Sequence, residues 1–411
     1  MRRAFLLIFL ITLLAYGCGG YRSTETIRPV QVQRQMPEIT MAHSYYSRND
    51  SLFLLLKFED AQQVLDILQA ATSYEYAVRA GLSDRDAVIL QDSVDLPNRK
   101  ITDVEGQLQV QLALPASVVR KPNVLHIKVW ELLSGRERVG IQFKIALNSE
   151  MLQKNYSLVH ANTGHSVLKT YLTTNDKLMV QTHGDSGSTL TLERFELDFM
   201  PASPPMSMRK PSVPRTLSPI STRSLTASDT LIFDNEGLYL LKTEKGFANG
   251  LLVLAGNYPQ VTRAEELIPP LIYLTTSQER EELMQAKEPK AAVDNFWLSV
   301  GGSERQGRAL IKEFYSRVER ANKLYTAHKA GWATDRGMVY IIYGQPSSIS
   351  QVGPNITWIY RESETAPYIK FVFTKKENNF TENYYELIRR REYEDSWYST
   401  VAKWRAGKIN L

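Results

Sequence analysis

Cysteine is almost absent: Cys18 is the only one in 411 residues, so no disulfide can form within the chain. Histidine is also scarce, with six at positions 43, 126, 160, 165, 183 and 328. His160 and His165 stand close together, but no Cys, Asp or Glu joins them at ligand spacing, so no metal or other cofactor is expected. Glycine-rich loops that could cradle a phosphate are missing as well. The net charge of +5 lacks any cluster, because Lys and Arg are spread along the chain. A nucleic-acid binder concentrates its charge on one face, so nucleic acid is not an expected partner. Long apolar runs are missing beyond the first residues. Ala4 to Ala15 has the length of a secretory h-region and is too short for a membrane span.

That run gives Cys18 a meaning. Arg2 and Arg3 precede it as a basic n-region, and Ala15-Tyr16-Gly17-Cys18 follows it. A small residue just before a cysteine at the end of an h-region resembles a bacterial lipobox. Tyr16, and alanine in place of leucine, make the match imperfect. The expectation is a signal peptide over 1–17 and a diacylated Cys18 that opens a polar tether over 18–42. An ordinary cleaved signal with an incidental cysteine is the alternative. Gly19 rather than Asp follows the cysteine, and no acidic run comes after it. Both features fit an outer-membrane lipoprotein that faces the periplasm, its partners being the membrane and other envelope proteins.

The middle of the chain reads as β-structure. Over 43–148, apolar residues alternate at Leu108, Val110, Leu112 and Leu114, at Leu125, Ile127 and Val129, and at Val139, Ile141, Phe143 and Ile145. Short strands with turn signals over that length predict a β-sandwich, with residues 60–69 open as a short helix. A second β region over 157–255 is interrupted at 201–228, where six prolines predict an exposed, disordered loop that makes no sheet ladder. The two regions are read as one or two sandwiches. From 262 the period becomes helical. Thr276 and Glu279 spell a capping box. Ser303 caps a long helix whose apolar stripe includes Leu310, Phe314, Val318, Ala321 and Tyr325. Strands are predicted at 338–343, 356–361, 368–374 and 383–389. The fold class is therefore multidomain and β-rich, ending in an α+β domain over 262–411 with helices on a small antiparallel sheet.

Gly331-Trp332-Ala333-Thr334-Asp335-Arg336-Gly337 is the most distinctive stretch, and the run after it ends in Tyr343-Gly344-Gln345-Pro346. Gly331 and Gly337 can adopt conformations closed to other residues. Thr334 and Asp335 can pin a turn through their own backbone. Trp332 needs a pocket, and Met338 to Tyr343 reads as a buried strand stopped by Gly344 and Pro346. Gly331, Trp332, Thr334 and Asp335, with Arg336-Gly337 and Tyr343-Gly344-x-Pro346, resemble the signature of the GWxTD domain family. The resemblance implies an extracytoplasmic protein of Gram-negative bacteria with β-rich domains ahead of the motif. It implies no activity.

Catalytic constellations are hard to assemble from the remaining residues. Gly184-Asp185-Ser186-Gly187-Ser188 looks like a serine-protease nucleophile turn, with His43 upstream, but the rest of that pattern is missing. Asp335 could act as a base if desolvated, yet the motif supplies no His, Ser or Lys partner. The expected motif roles are structural: Thr334 and Asp335 fix the turn, Trp332 plugs the helix layer, and Arg336 pairs locally. The aromatic residues Tyr384, Tyr385, Tyr393, Trp397, Tyr398 and Trp404, mixed with Arg389 to Arg391, could form a recognition surface instead of core. The sequence thus favours a non-enzymatic binding or structural subunit of an envelope assembly. The alternative is a hydrolase of a cell-envelope polymer with its site near Asp335.

Overall fold

A computed structural model describes residues 40–409, except 60–72, 95–100, 103–107, 133–137, 184–188, 209–216, 227–228, 245, 353 and 362–366. The leader, Cys18, nearly all of the tether, the segment 60–69 and the turn at 184–188 lie outside the described residues.

The chain is β-rich, with antiparallel sheets ahead of a helical C-terminal part. Strands β1 (Thr40–Arg48), β2 (Ser51–Glu59), β3 (Ser73–Arg79), β4 (Val88–Val94), β5 (Ile101–Thr102), β6 (Leu108–Pro115), β7 (Asn123–Leu132) and β8 (Arg138–Leu147) form two four-stranded sheets. Their orders are β1-β2-β6-β5 and β4-β3-β7-β8. Side chains alternate between the faces of a strand. Leu52, Leu54 and Leu56 of β2 and Val110, Leu112 and Leu114 of β6 therefore share one core with Tyr76, Val78, Leu125 and Ile127 of the other sheet. A short helix, α1 (Ala116–Val119), adds Val118 and Val119.

The next strands are β9 (Tyr156–His160), β10 (Leu172–Thr173), β11 (Lys177–Thr182), β12 (Leu190–Phe195), β13 (Ser221–Leu225), β14 (Thr230–Ile232), β15 (Gly237–Thr243) and β16 (Ala248–Leu254). They make a three-stranded sheet, β14-β11-β9, and a five-stranded one, β10-β16-β15-β12-β13. Strand β15 is apolar almost without a break because both its faces are covered. Tyr239 and Leu241 face the core shared with β9 and β11, while Leu238 and Leu240 face a second core that includes Phe380.

The proline-rich segment differs from its expectation as a loop without a ladder. Ser221–Leu225 pairs antiparallel with β12, from Leu190↔Leu225 to Arg194↔Ser221. All six prolines precede this stretch, so every residue of β13 keeps its N–H for an edge strand. Upstream, Ala202 and Pro205 are buried, and the Ala202 N–H donates to the Ala333 carbonyl at 2.9 Å.

The C-terminal part holds α2 (Ala264–Leu267), α3 (Ser277–Met284), α4 (Pro289–Gly301), α5 (Glu304–Tyr325), α6 (Asp335–Tyr343) and α7 (Glu394–Arg405). Its sheet is β17 (Ser348–Val352), β18 (Asn355–Tyr360), β19 (Ile369–Lys375) and β20 (Tyr385–Leu387), paired in that order. Thr276 and Glu279 form the capping box of α3, and Gly302 ends α4 in the left-handed region at φ 66°. Ser303 caps α5, whose stripe is buried at Leu310, Phe314, Val318, Ala321 and Tyr325. On the sheet, Trp358, Phe371 and Phe373 are fully buried.

The run read as a strand over 338–343 is instead the helix α6. Its apolar residues carry no two-residue period because neighbours cover the segment all round, from Asp335 to Ile342. The N-terminus decides the outcome: the Thr334 hydroxyl accepts the Gly337 N–H at 3.1 Å, which is an N-cap bond. Asp335 in the first turn adds favourable charge against the helix dipole.

Candidate functional site

The motif links α5 to α6 and forms the first turn of α6, and its backbone is held by contacts within the chain. Gly331 presses on α5, where a Cβ would stand 2.0 Å from the Ala321 carbonyl oxygen. Gly337 presses on the motif itself, where a Cβ would stand 1.9 Å from the Gly331 oxygen. Two side chains receive the motif's N–H groups: Gly331 donates to the Tyr258 hydroxyl at 3.1 Å and Trp332 to Asn322 Oδ1 at 3.0 Å. The Trp332 carbonyl accepts from the Tyr273 hydroxyl at 3.1 Å. The Trp332 ring is half-buried, edge-on to Tyr273 at 6.3 Å, and packs against the core of the helical part from its margin.

Asp335 and Arg336 reach far along the sequence. Asp335 Oδ1 accepts from Arg389 Nη2 at 2.5 Å, and Oδ2 accepts from Arg389 Nη1 at 3.2 Å and from the Leu387 N–H at 2.8 Å. Both oxygens of this buried carboxylate are therefore engaged, and Arg389 also donates to the Ser203 carbonyl at 3.1 Å. Arg336 has partners distant in sequence. It donates to the Asn383 side chain and carbonyl at 2.5 and 3.0 Å, and its guanidinium lies 4.3 Å from the Tyr385 ring centre. The long side chain spans from the first turn of α6 to the loop before β20.

Gly344 ends α6 at φ 80°, a conformation that favours glycine. The buried Pro346 follows, and the Tyr343 hydroxyl meets Ser396 Oγ at 3.3 Å. The C-terminal aromatics are mainly core: Tyr393, Trp397 and Trp404 are buried, and only Tyr398 of that group is more than half exposed. Arg389, expected on a surface, points inward.

Two titratable groups beside the motif are shifted by burial. Burial, with the Lys329 charge behind it, pulls His328 down to about 4, and its ring stands edge-on to Phe199 and Tyr384 at 4.7 Å each. Lys329 is pulled down to about 8 by burial while donating to the Met200 carbonyl at 2.8 Å. A depressed histidine has a definite consequence for stability. Below pH 6.5 the unfolded chain binds a proton that the folded chain refuses, so stability falls as pH drops from 6.5 to about 4. The full effect is about 3 kcal/mol. Urea unfolding of His328→Gln should show a weaker fall between pH 7 and 5 than the wild type. An unchanged pH dependence would mean that His328 is not held neutral.

The other candidates do not assemble. His43 lies in β1, where burial pulls it down to about 4, and its supposed serine partner is outside the described residues. His160 Nδ1 stands 3.9 Å from Asp176, and among the described residues no three potential ligands gather around a metal position. Sequence reasoning missed Arg389, Leu387 and Asn383 as partners of the motif. Asn322, in the last turn of α5, was missed as well.

Residues 237–406 match the family model described as GWxTD domain. One solved structure, Tp47, the 47-kilodalton lipoprotein of Treponema pallidum, is similar at 10% identity with a TM-score of 0.21. That similarity covers 53% of this chain and 50% of the other, so the chain spans about half the length of that relative. No curated protein matches the chain. Among the described residues, no helix is long and apolar enough to cross a membrane.

Proposed function

We propose, on the premise that residues 237–406 are a GWxTD domain, that the protein is a non-enzymatic lipoprotein. It would be anchored in the outer membrane through Cys18, face the periplasm, and serve as a binding or structural subunit of an envelope assembly. The observation that carries the non-enzymatic part is the state of Asp335. A general base needs a carboxylate oxygen within reach of a substrate proton. Here both oxygens are bound by Arg389 and the Leu387 N–H inside the protein. The motif works as a joint that locks α5, α6 and the end of the last sheet, which suits a rigid platform for partners. The apolar run before Cys18 supports the anchor.

Fractionation of cells that carry Cys18→Ser tests the anchor. The expected result is protein moved from the membrane to the soluble periplasmic fraction, or stalled unprocessed. A variant that stays in the membrane fraction at its mature size would overturn lipidation. Crosslinking of the anchored protein in intact cells should then capture discrete envelope partners. Turnover of an envelope polymer by the purified protein would instead establish the hydrolase.

A further inference from the structure

A hollow of about 460 Å³ opens beside the turn that ends α6, and α5 forms its opposite wall. Glu313, Arg317, Arg320 and Lys323 line it, three or four residues apart and hence on one helix face. Glu319, Gln345, Ser316 and Tyr340 add further polar groups to the lining.

The charges in this hollow are unevenly satisfied. Arg317 is fixed: its Nε donates to Glu313 at 2.6 Å, and its Nη1 donates to the Ile341 and Ile342 carbonyls at 3.3 and 3.4 Å. Its guanidinium also lies 5.0 Å from the Trp404 ring centre. Glu313 is neutralised by this contact. Arg317 Nη2 makes no hydrogen bond among the described residues, nor do the side chains of Arg320 and Lys323. Glu319 is the remaining carboxylate, and it accepts one long bond from the Val261 N–H at 3.4 Å. Three cations, one of them already paired with Glu313, therefore line the hollow with two carboxylates, which leaves a net charge of +1.

We propose that this hollow binds a small phosphorylated polyol, such as a glycerol phosphate or a sugar phosphate, free in solution or as a lipid headgroup. A guanidinium fork matches phosphate geometry, and lysine adds a compact charge beside it. The volume is within the usual range for small-molecule sites and exceeds what a bare phosphate fills. Glu319 and Gln345 then have a use that a bare anion would not give them: they accept hydroxyl hydrogens from the polyol body. The hollow is separate from the Asp335 pair, and the inference holds whether or not the protein is lipid-anchored.

Titration calorimetry with glycerol 3-phosphate and with inorganic phosphate tests the site. Saturable binding is expected, tighter for glycerol 3-phosphate. The double variant Arg320→Gln/Lys323→Gln should bind at least about tenfold more weakly, as expected for lost charged hydrogen bonds. Lys312→Gln, on the same helix but outside the hollow, should bind as wild type. Vesicles of phosphatidylglycerol, with phosphatidylcholine as control, separate the two sources. Binding to phosphatidylglycerol vesicles alone assigns a lipid headgroup, and binding of glycerol 3-phosphate assigns a soluble ligand. Absence of saturable binding to every probe overturns the site. So does an equal loss in Lys312→Gln, which would reveal diffuse charge attraction. The replaced side chains are at the surface, and each single variant, with its melting curve, serves if the double variant does not fold.

Discussion

Gly331→Ala should abolish cooperative folding of the C-terminal half. A methyl group there would sit 2.0 Å from the Ala321 oxygen and 2.6 Å from Asn322 Cα, both backbone atoms of a 22-residue helix. Backbone inside a packed helix cannot turn aside as a flexible side chain can. The motif must lift away from α5, and lifting breaks the bonds from Gly331 to Tyr258 and from Trp332 to Asn322. Overpacking costs about 1–3 kcal/mol. Each buried polar group left without a partner adds about 1–3 kcal/mol. The sum, about 5 kcal/mol, is comparable with the whole stability of many domains. Near-ultraviolet circular dichroism during heating reads the outcome. Trp332→Ala, at a half-buried ring, should cost less than Gly331→Ala. A Gly331→Ala protein that melts like the wild type would mean that the motif does not sit against α5.

Removing either side of the Asp335–Arg389 pair should cost about 3–5 kcal/mol, because the charge left behind stays buried and alone. Asp335→Ala also takes the acceptor from the Leu387 N–H, and Arg389→Ala takes a donor from the Ser203 carbonyl. The double variant Asp335→Ala/Arg389→Ala should be less destabilised than the sum of the singles, since no lone charge remains. It should still fall short of the wild type, because the Leu387 amide and the Ser203 carbonyl keep their unmet demands. Urea midpoints of the four proteins measure this coupling. A hydrolase with Asp335 as its base predicts the opposite: unchanged midpoints for Asp335→Asn together with lost activity. Additive single costs would place the two side chains apart in solution.

Local patterns were legible in the sequence, and long-range partnerships were not. The capping box at Thr276 and Glu279 and the stripe along α5 follow from spacing alone, as does the alternation in β6. The helix α6 was misread because burial on all sides erases the period that separates helix from strand. The local clue to a helix is Thr334, whose side chain suits an N-cap as well as a turn. The motif itself stood out, but the reason for Gly331 lies in Ala321, and the partner of Asp335 lies 54 residues downstream. Neither position has a local signature. In the proline-rich segment the prolines end at Pro219, and Ser221–Leu225, which contains none, is free to pair.

The stretch matched by the GWxTD family begins at residue 237, the first of β15, and β15 lies between β12 and β16 in a shared sheet. The upstream limit of the matched stretch thus runs along a row of interstrand hydrogen bonds, from Leu190↔Thr243 to Phe195↔Leu238. Across that border Tyr239 and Leu241 serve a core built mainly from upstream strands, while Leu238 and Leu240 pack with Phe195 from upstream and with Leu252, Leu254 and Phe380 from downstream. Residues 237–406 on their own would present a raw strand edge and a stripped apolar face, which are what make chains aggregate. The piece of this chain that closes its own sheet is therefore larger than the matched one, because it has to include the strand that pairs with β15.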